Sequence, residues 1–387
     1  MQASRAIIHI ENLKANIAAL RKHIGRRTRI CLPVKADAYG HGAVEVSKAA
    51  LECGVSMLAV ARLGEGALLR DAGINAPVLL FSQCVPEELE EAARLRLIPF
   101  ISGREQAAEF SAAAKRAGVS GAEVFLKVDT GMGRLGCRPD EAVELARAIL
   151  REGLVIKGTA THLAASDADD EASVQYTRMQ TSAFDAALSA LKAAGIDPGI
   201  VSAANSGAVL RRNFTSGSLV RPGILTYGYG GKALTEILPV LPVMEFVSRL
   251  VFVKKIKRGE SVSYGRSWEA RRDTYIGILP AGYADGLPRL LSDSGPSWSG
   301  RTQKPFCVVI NGKSCPLAGR ICMDQCAIDL GPREPPPLYS DAVIFGGPPA
   351  ENAAELALRV NTVPYEICCG ISKRVPRVFL DVVAGAV

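Results

Sequence analysis

The chain has 387 residues, more than one hydrophobic core usually serves, so two domains are expected. Its 48% hydrophobic and 22% charged residues describe an ordinary globular protein, and no apolar run approaches the roughly 18 residues of a membrane span. The formal net charge of +7 is spread along the chain with no basic block carrying interleaved aromatics, which argues against nucleic acid as a partner and leaves small anionic ligands.

The opening MQASRAIIHIENLK lacks the pattern of a secretion signal, so a cytoplasmic location is expected. RAIIHI (5–10) reads as a strand that could join either half. From about residue 28 to 225, eight short apolar runs follow one another, at 30–36, 56–61, 77–82, 98–102, 123–129, 155–162, 200–205 and 218–224. Unbroken apolar runs suit strands buried on both faces of a parallel sheet. Alanine-rich amphipathic stretches lie between them, and several close on glycine, as in AAKRAG and LKAAG, a common helix stop. Eight strand–helix units predict a (β/α)8 TIM barrel over residues 10–236.

After about residue 236 the pattern changes. EFVSRLVFVKKI, TYIGILPAGY, PFCVVING, QCAIDL, DAVIFG and RVFLDVV read as strands among Gly, Pro and Ser clusters, with ENAAELALRV as the one helix. Residues 237–387 are therefore expected to form a mainly antiparallel β domain, with residues 1–9 joining it as a strand. The ten cysteines contain no C-x-x-C pair and histidines number four, so no zinc site is expected and the thiols read as reduced and mostly buried.

In a TIM barrel, chemistry gathers at the C-terminal ends of the strands. Reading those ends in order gives Lys35, Lys127 with Asp129, His162, Asn205 with Ser206, and Arg221. A lysine aimed into a barrel mouth is costly to bury unless paired or used covalently, and desolvation makes its amine a better nucleophile. From position alone, Lys35 reads equally well as a surface lysine. Taken singly, His162 and Arg221 read as satisfied strand-end side chains and Ser206 as a helix cap. GMGRLG (131–136) meets the dinucleotide pattern G-x-G-x-x-G, but at the fifth strand rather than the first and with an arginine at the turn, so it is a weak signal.

VKADAYGHG (34–42) resembles the lysine motif of the alanine racemase family. LKVDTGMGRLG (126–136), RPGI (221–224), SYG (263–265), ICMDQ (321–325) and PYEI (364–367) match that family in the same order, so the resemblance spans nearly the whole chain. It implies pyridoxal 5'-phosphate held by Lys35, with Lys35 acting on one face of the substrate and Tyr264, from a partner subunit, on the other. Racemisation needs two such groups, because one fixed side chain cannot readily reach both faces.

The same resemblance places His162 beside Tyr264 and Arg221, with Arg221 facing the cofactor's ring nitrogen. It assigns the phosphate to Tyr39, Ser206, Gly223, Ile224 and Tyr365, beside Asn205. Arg134 would meet the cofactor's phenolic oxygen and the substrate carboxylate, Lys127 matches a position that is often carbamylated, and Met323 and Asp324 would complete the substrate pocket from the partner. It further implies a homodimer with shared sites, no metal, and a role in supplying D-alanine for peptidoglycan. Three rivals stay open: a racemase of broader range acting on serine or basic amino acids, a decarboxylase on a similar barrel, and a cofactor carrier without turnover.

Overall fold

The computed structural model describes residues 2–212, 218–230, 237–292 and 304–381. After β1 (Arg5–His9) and the helix Ile10–Ile24, eight strands run in parallel: β2 (Arg29–Pro33), β3 (Met57–Val60), β4 (Val78–Leu80), β5 (Leu97–Ile101), β6 (Glu123–Lys127), β7 (Val155–Ala160), β8 (Ile200–Ser202) and β9 (Leu219–Val220). Each of the eight expected runs carries one of them. Their order in the sheet is β8-β7-β6-β5-β4-β3-β2-β9.

The seam between β8 and β9 is closed by two hydrogen bonds. Ser202 Oγ donates to Leu219 O at 2.6 Å, and the Arg221 N–H donates to Ala204 O at 2.8 Å. Successive strand residues point to opposite faces, and the core divides accordingly. Cys31, Leu79, Phe100, Phe125, Ala160 and Leu219 fill the barrel interior, while Leu32, Val78, Leu80, Val124 and Leu126 belong to the layer shared with the surrounding helices.

The second half contains β10 (Met244–Arg249), β11 (Phe252–Ile256), β12 (Ser261–Val262), β13 (Trp268–Glu269), β14 (Thr274–Leu279), β15 (Cys307–Ile310), β16 (Lys313–Pro316), β17 (Cys326–Gly331), β18 (Asp341–Phe345) and β19 (Arg377–Leu380). Six strands form one sheet in the order β16-β15-β18-β10-β1-β19, and β11-β14-β17 form another. β1 runs antiparallel to β10 and parallel to β19. The early strand thus pairs within the sheet of the β half.

The single run EFVSRLVFVKKI divides into β10 and β11, which lie in different sheets. ENAAELALRV forms the helix Ala353–Arg359, but a second helix, Pro364–Gly370, corrects the expectation of only one. Seven residues containing two cysteines and a terminal glycine carry too few turns for a helical repeat to show. The end of RVFLDVV and residues 231–236, beside the expected junction at 236–237, lie outside the described residues. None of the described helices is long and apolar enough to cross a membrane.

Candidate active site

The alternation that fills the barrel also aims its functional side chains. Stepping by two from interior residues reaches the mouth each time: Cys31 to Lys35 through Pro33, Leu79 to Phe81, Phe125 to Lys127, Ala160 to His162, and Leu219 to Arg221. These residues line a cavity of about 1170 Å³, together with Tyr39, Arg134, Asn205, Ser206, Gly223, Ile224 and Tyr365. Every cofactor-side residue expected from the sequence, with Arg134 and Lys127, therefore meets at one place.

Lys35 leads directly into an unusual backbone. Ala36, Asp37, Ala38 and Tyr39 have φ of 51°, 54°, 53° and 54°, one turn of left-handed helix built without glycine. Such a turn costs about 1–2 kcal/mol per residue, so it persists only where its surroundings hold it. The Asp37 carboxylate accepts the Ala43 N–H at 2.7 Å, and Gly40 O accepts from Arg377 Nε at 2.9 Å. His41 Nδ1 lies 3.0 Å from Ala38 O and 2.9 Å from Tyr39 O, so Nδ1 carries the proton and donates to them. A Cβ on Gly40 would sit 2.3 Å from Cys368 O, which is why only glycine admits the helix Pro364–Gly370 here.

The turn carries the Tyr39 ring against Tyr227 and Tyr365, at centroid distances of 5.0 and 5.2 Å. Lys35 Nζ stands 5.8 Å from the centroid of the Phe81 ring. Burial, aided by the Arg134 charge, pulls the Lys35 amine below the ordinary lysine value, the direction that frees a neutral nucleophile.

Positive groups crowd the floor of the cavity. Arg221 is buried and binds Ser202 Oγ, Thr161 O and Ala203 O, with no carboxylate among its hydrogen-bond partners in the described residues. Burial brings its pKa down to about 10, which still leaves it charged at neutral pH. Its Nη2 lies 3.4 Å from His162 Nδ1. The guanidinium can only donate, so Nδ1 accepts and the imidazole proton resides on Nε2. Burial, followed by the charges of Arg221, Lys127, Arg134 and Lys35, lowers His162 to about 3, so its ring is neutral.

Lys127 is buried, with Nζ donating to Val128 O at 3.1 Å. Burial, reinforced by Arg221 and opposed by Asp129, brings it down to about 7. Asp129 spends its carboxylate on the N–H groups of Gly131, Gly133 and Arg134, at 2.9, 3.1 and 3.1 Å. Those amides of GMGRLG are therefore already occupied, and the segment is an aspartate-tied loop rather than a nucleotide cradle.

Opposite Lys35, Asn205 caps the short helix Ser206–Leu210 through Ala208 N at 3.2 Å and accepts from Ser166 Oγ at 2.6 Å. Ser206 Oγ is buried, with no hydrogen bond of good geometry among the described residues, and lies near enough to the Tyr365 hydroxyl to influence it. A Cβ on Gly223 would lie 2.7 Å from Tyr39 Oη, so glycine lets that hydroxyl approach the backbone. Hydroxyls, backbone amides and uncompensated cations form a donor set for an anion such as a phosphate. The residues present fit pyridoxal 5'-phosphate on this ground.

Tyr264, Met323 and Asp324 do not line this cavity. Tyr264 is 70% exposed and Met323 53% exposed. Ser263 Oγ donates to Arg320 O at 2.6 Å, which brings the Tyr264 turn beside the ICMDQ loop. Arg374 joins Asp324 at 2.9 Å and the buried Asp285 at 2.7 Å. The three residues expected to serve a partner thus share one outward face of the β half.

Two residues in the site's support were not singled out in the sequence. Gln180 is fully buried and donates to His162 O at 3.1 Å and Thr130 Oγ1 at 3.4 Å, while accepting the Ala164 N–H at 2.9 Å. Its signal was an amide on the buried stripe of the helix Glu171–Ala193, alongside Phe184 and Leu191. Ser202, which holds both the barrel seam and Arg221, left no signal in a run of small residues.

Together the fold and the site define a two-domain (β/α)8 protein with a desolvated lysine and an anion-binding cavity at the barrel mouth. The model of the alanine racemase N-terminal domain matches residues 8–230, and that of the C-terminal domain matches residues 243–379. The alanine racemase of Treponema denticola is 45% identical, over 98% of this chain and 99% of its own length. That of Treponema pallidum is 40% identical over 98% and 100%. The crystal structure of alanine racemase from a D-cycloserine-producing Streptomyces lavendulae superposes with a TM-score of 0.88 at 34% identity, covering 99% of this chain and 98% of that one. The chain belongs to the alanine racemase family, a family of pyridoxal-phosphate-dependent isomerases.

Proposed function

We propose that this protein interconverts L-alanine and D-alanine in a homodimer whose two sites each draw on both subunits. The observation that carries this reading is Lys35, its amine lowered by burial and by Arg134, in a cavity lined by further cations. Bound pyridoxal phosphate supplies the electron sink that makes the α-proton of an amino acid removable. Lys35 would hold it through its desolvated amine. Tyr39, Ser206, Gly223, Ile224 and Tyr365, beside Asn205, hold the phosphate.

Arg221 would face the ring nitrogen as a hydrogen-bond donor, and it keeps its own proton, since its pKa of about 10 stays well above neutrality. An arginine in that place would not give the ring a proton, which suits racemisation over transamination. Arg134 binds the substrate carboxylate. Lys127, at about 7, offers a share of neutral amine that adds CO2 and releases a proton. The resulting carbamate offsets the charges of Arg134 and Arg221. Lys35 Nζ moves the proton on one face of the substrate, and the Tyr264 hydroxyl of the partner subunit moves it on the other. His162, neutral and bonded at Nδ1 by Arg221, keeps its Nε2 proton to orient that tyrosine. Met323 and Asp324 of the partner subunit narrow the pocket.

The barrel (10–236) carries the cofactor and the β domain (237–387) completes the neighbouring site. The reaction takes place in the cytoplasm and supplies D-alanine for peptidoglycan. The test is to load the protein with pyridoxal phosphate, trap the linkage with borohydride, map the label and follow alanine by chiral chromatography. A label on Lys35 with conversion of either enantiomer into the other is expected. A label elsewhere, CO2 release in place of inversion, or faster inversion of serine or lysine than of alanine overturns the reading.

A further inference from the structure

The left-handed turn that follows Lys35 is gripped from outside by a residue of another strand–helix unit. Glu65 lies in the first turn of the helix Leu63–Asp71, and its Oε2 accepts the Arg62 N–H at 3.1 Å and the Ala61 N–H at 2.7 Å. That much is a capping box, the usual task of a glutamate at the third helical position. Among the described residues, three other glutamates perform it. Glu88 accepts from Val85 N, Glu141 from Arg138 N and Glu355 from Asn352 N, at 3.3, 3.0 and 2.7 Å.

Glu65 does more than these three. Its second oxygen, Oε1, crosses to the preceding unit and accepts the N–H of Ala36 at 2.7 Å. Ala36 is the first left-handed residue and the immediate neighbour of Lys35. No helical partner exists for that amide, because the chain reverses hand there. A carboxylate accepting it is a charge-assisted bond, stronger than a neutral one.

We propose that Glu65 is a positioning residue for Lys35, its carboxylate fixing the left-handed turn through the Ala36 N–H so that the amine faces the cavity before the cofactor arrives. The inference rests on the reading of Lys35 as the cofactor lysine. The Glu65 charge also opposes the effects of burial and Arg134 on the Lys35 amine, so it tempers how readily that amine loses its proton.

The test compares cofactor capture by wild-type apoprotein with capture by Glu65→Ala, Glu65→Gln and the capping control Glu88→Gln. The visible band of lysine-bound pyridoxal phosphate is followed over a range of pH, with thermal unfolding of each apoprotein alongside. Glu65→Ala should capture the cofactor at least about tenfold more slowly, as expected for loss of a charge-assisted bond. Glu65→Gln keeps an acceptor but loses the charge, so its capture midpoint should move to lower pH. Glu88→Gln should lower the melting temperature without altering capture.

If both Glu65 variants capture at the wild-type rate and pH, or slow only as much as Glu88→Gln, the positioning role is overturned and Lys35 keeps its own. If wild-type apoprotein develops no band with pyridoxal phosphate, the cofactor reading fails and this inference falls with it.

Discussion

The barrel mouth and the outward face of the β half treat their functional residues in opposite ways. At the mouth, Lys127 and Arg221 are buried and within reach of one another's charge, and Lys35 is partly desolvated beside Arg134. On the outward face, Tyr264 and Met323 stand largely in solvent, and the Ser263–Arg320 hydrogen bond ties the Tyr264 turn to the ICMDQ loop. Exposed apolar side chains held in order mark a contact surface. In the proposed dimer, this face would supply the groups that complete a second copy's cavity. In that proposal a C2 pair exchanging this face would satisfy both copies at once.

The strongest way to break that comparison is to separate the two regions genetically. Tyr264→Phe should cut racemisation by about 10²–10⁴-fold, the usual worth of an acid–base group, while cofactor capture stays near wild type. Co-expressed with Lys35→Ala, it should recover activity, because each mixed dimer has one site with both groups intact. Random pairing makes about half the dimers mixed, so about a quarter of wild-type activity should return. No recovery in verified mixed dimers would place Tyr264 and Lys35 in the same chain's site.

A smaller effect tests how dry the mouth's support is. Burial, helped by Arg377 and opposed by its backbone hydrogen bonds, lowers His41 from 6.5 to about 4. The unfolded chain therefore takes up a proton near pH 6.5 that the folded chain refuses until about 4. The contribution is complete above the unfolded value and lost as pH falls, by up to about 1.4 kcal/mol per unit and about 3 kcal/mol in all. Urea unfolding of the apoprotein between pH 7 and 4 should show this slope, and His41→Asn should flatten it. An unchanged slope in the variant would assign it to other groups.

The smallest effect sharpens the phosphate side. Gly223→Ala places a Cβ 2.7 Å from Tyr39 Oη and should weaken cofactor affinity about tenfold, the scale of a modest steric clash, with little change in apoprotein melting. Equilibrium titration with pyridoxal phosphate measures it, and an unchanged affinity would remove Tyr39 and Gly223 from the phosphate site.

The sequence alone determined the eight barrel strands, the change to β structure after about residue 236, and the cluster at the strand ends. The reason is local. A strand buried on both faces needs a continuous apolar run, and a two-residue period dictates which side chain reaches the mouth. The sequence also carried the identity of the family, through six ordered motifs.

Tertiary structure decided what depends on long-range contact. β1 could have joined either half, and its pairing with β10 and β19 placed it in the β half. The helix Pro364–Gly370 is too short to advertise itself and lies against Gly40. Four left-handed residues in ADAYGHG contradict their intrinsic preference and are held by Asp37, His41, Arg377 and Glu65. Glu65 looked like any capping glutamate until its second oxygen was found on Ala36, because a bond across 29 residues leaves no periodic trace in the sequence.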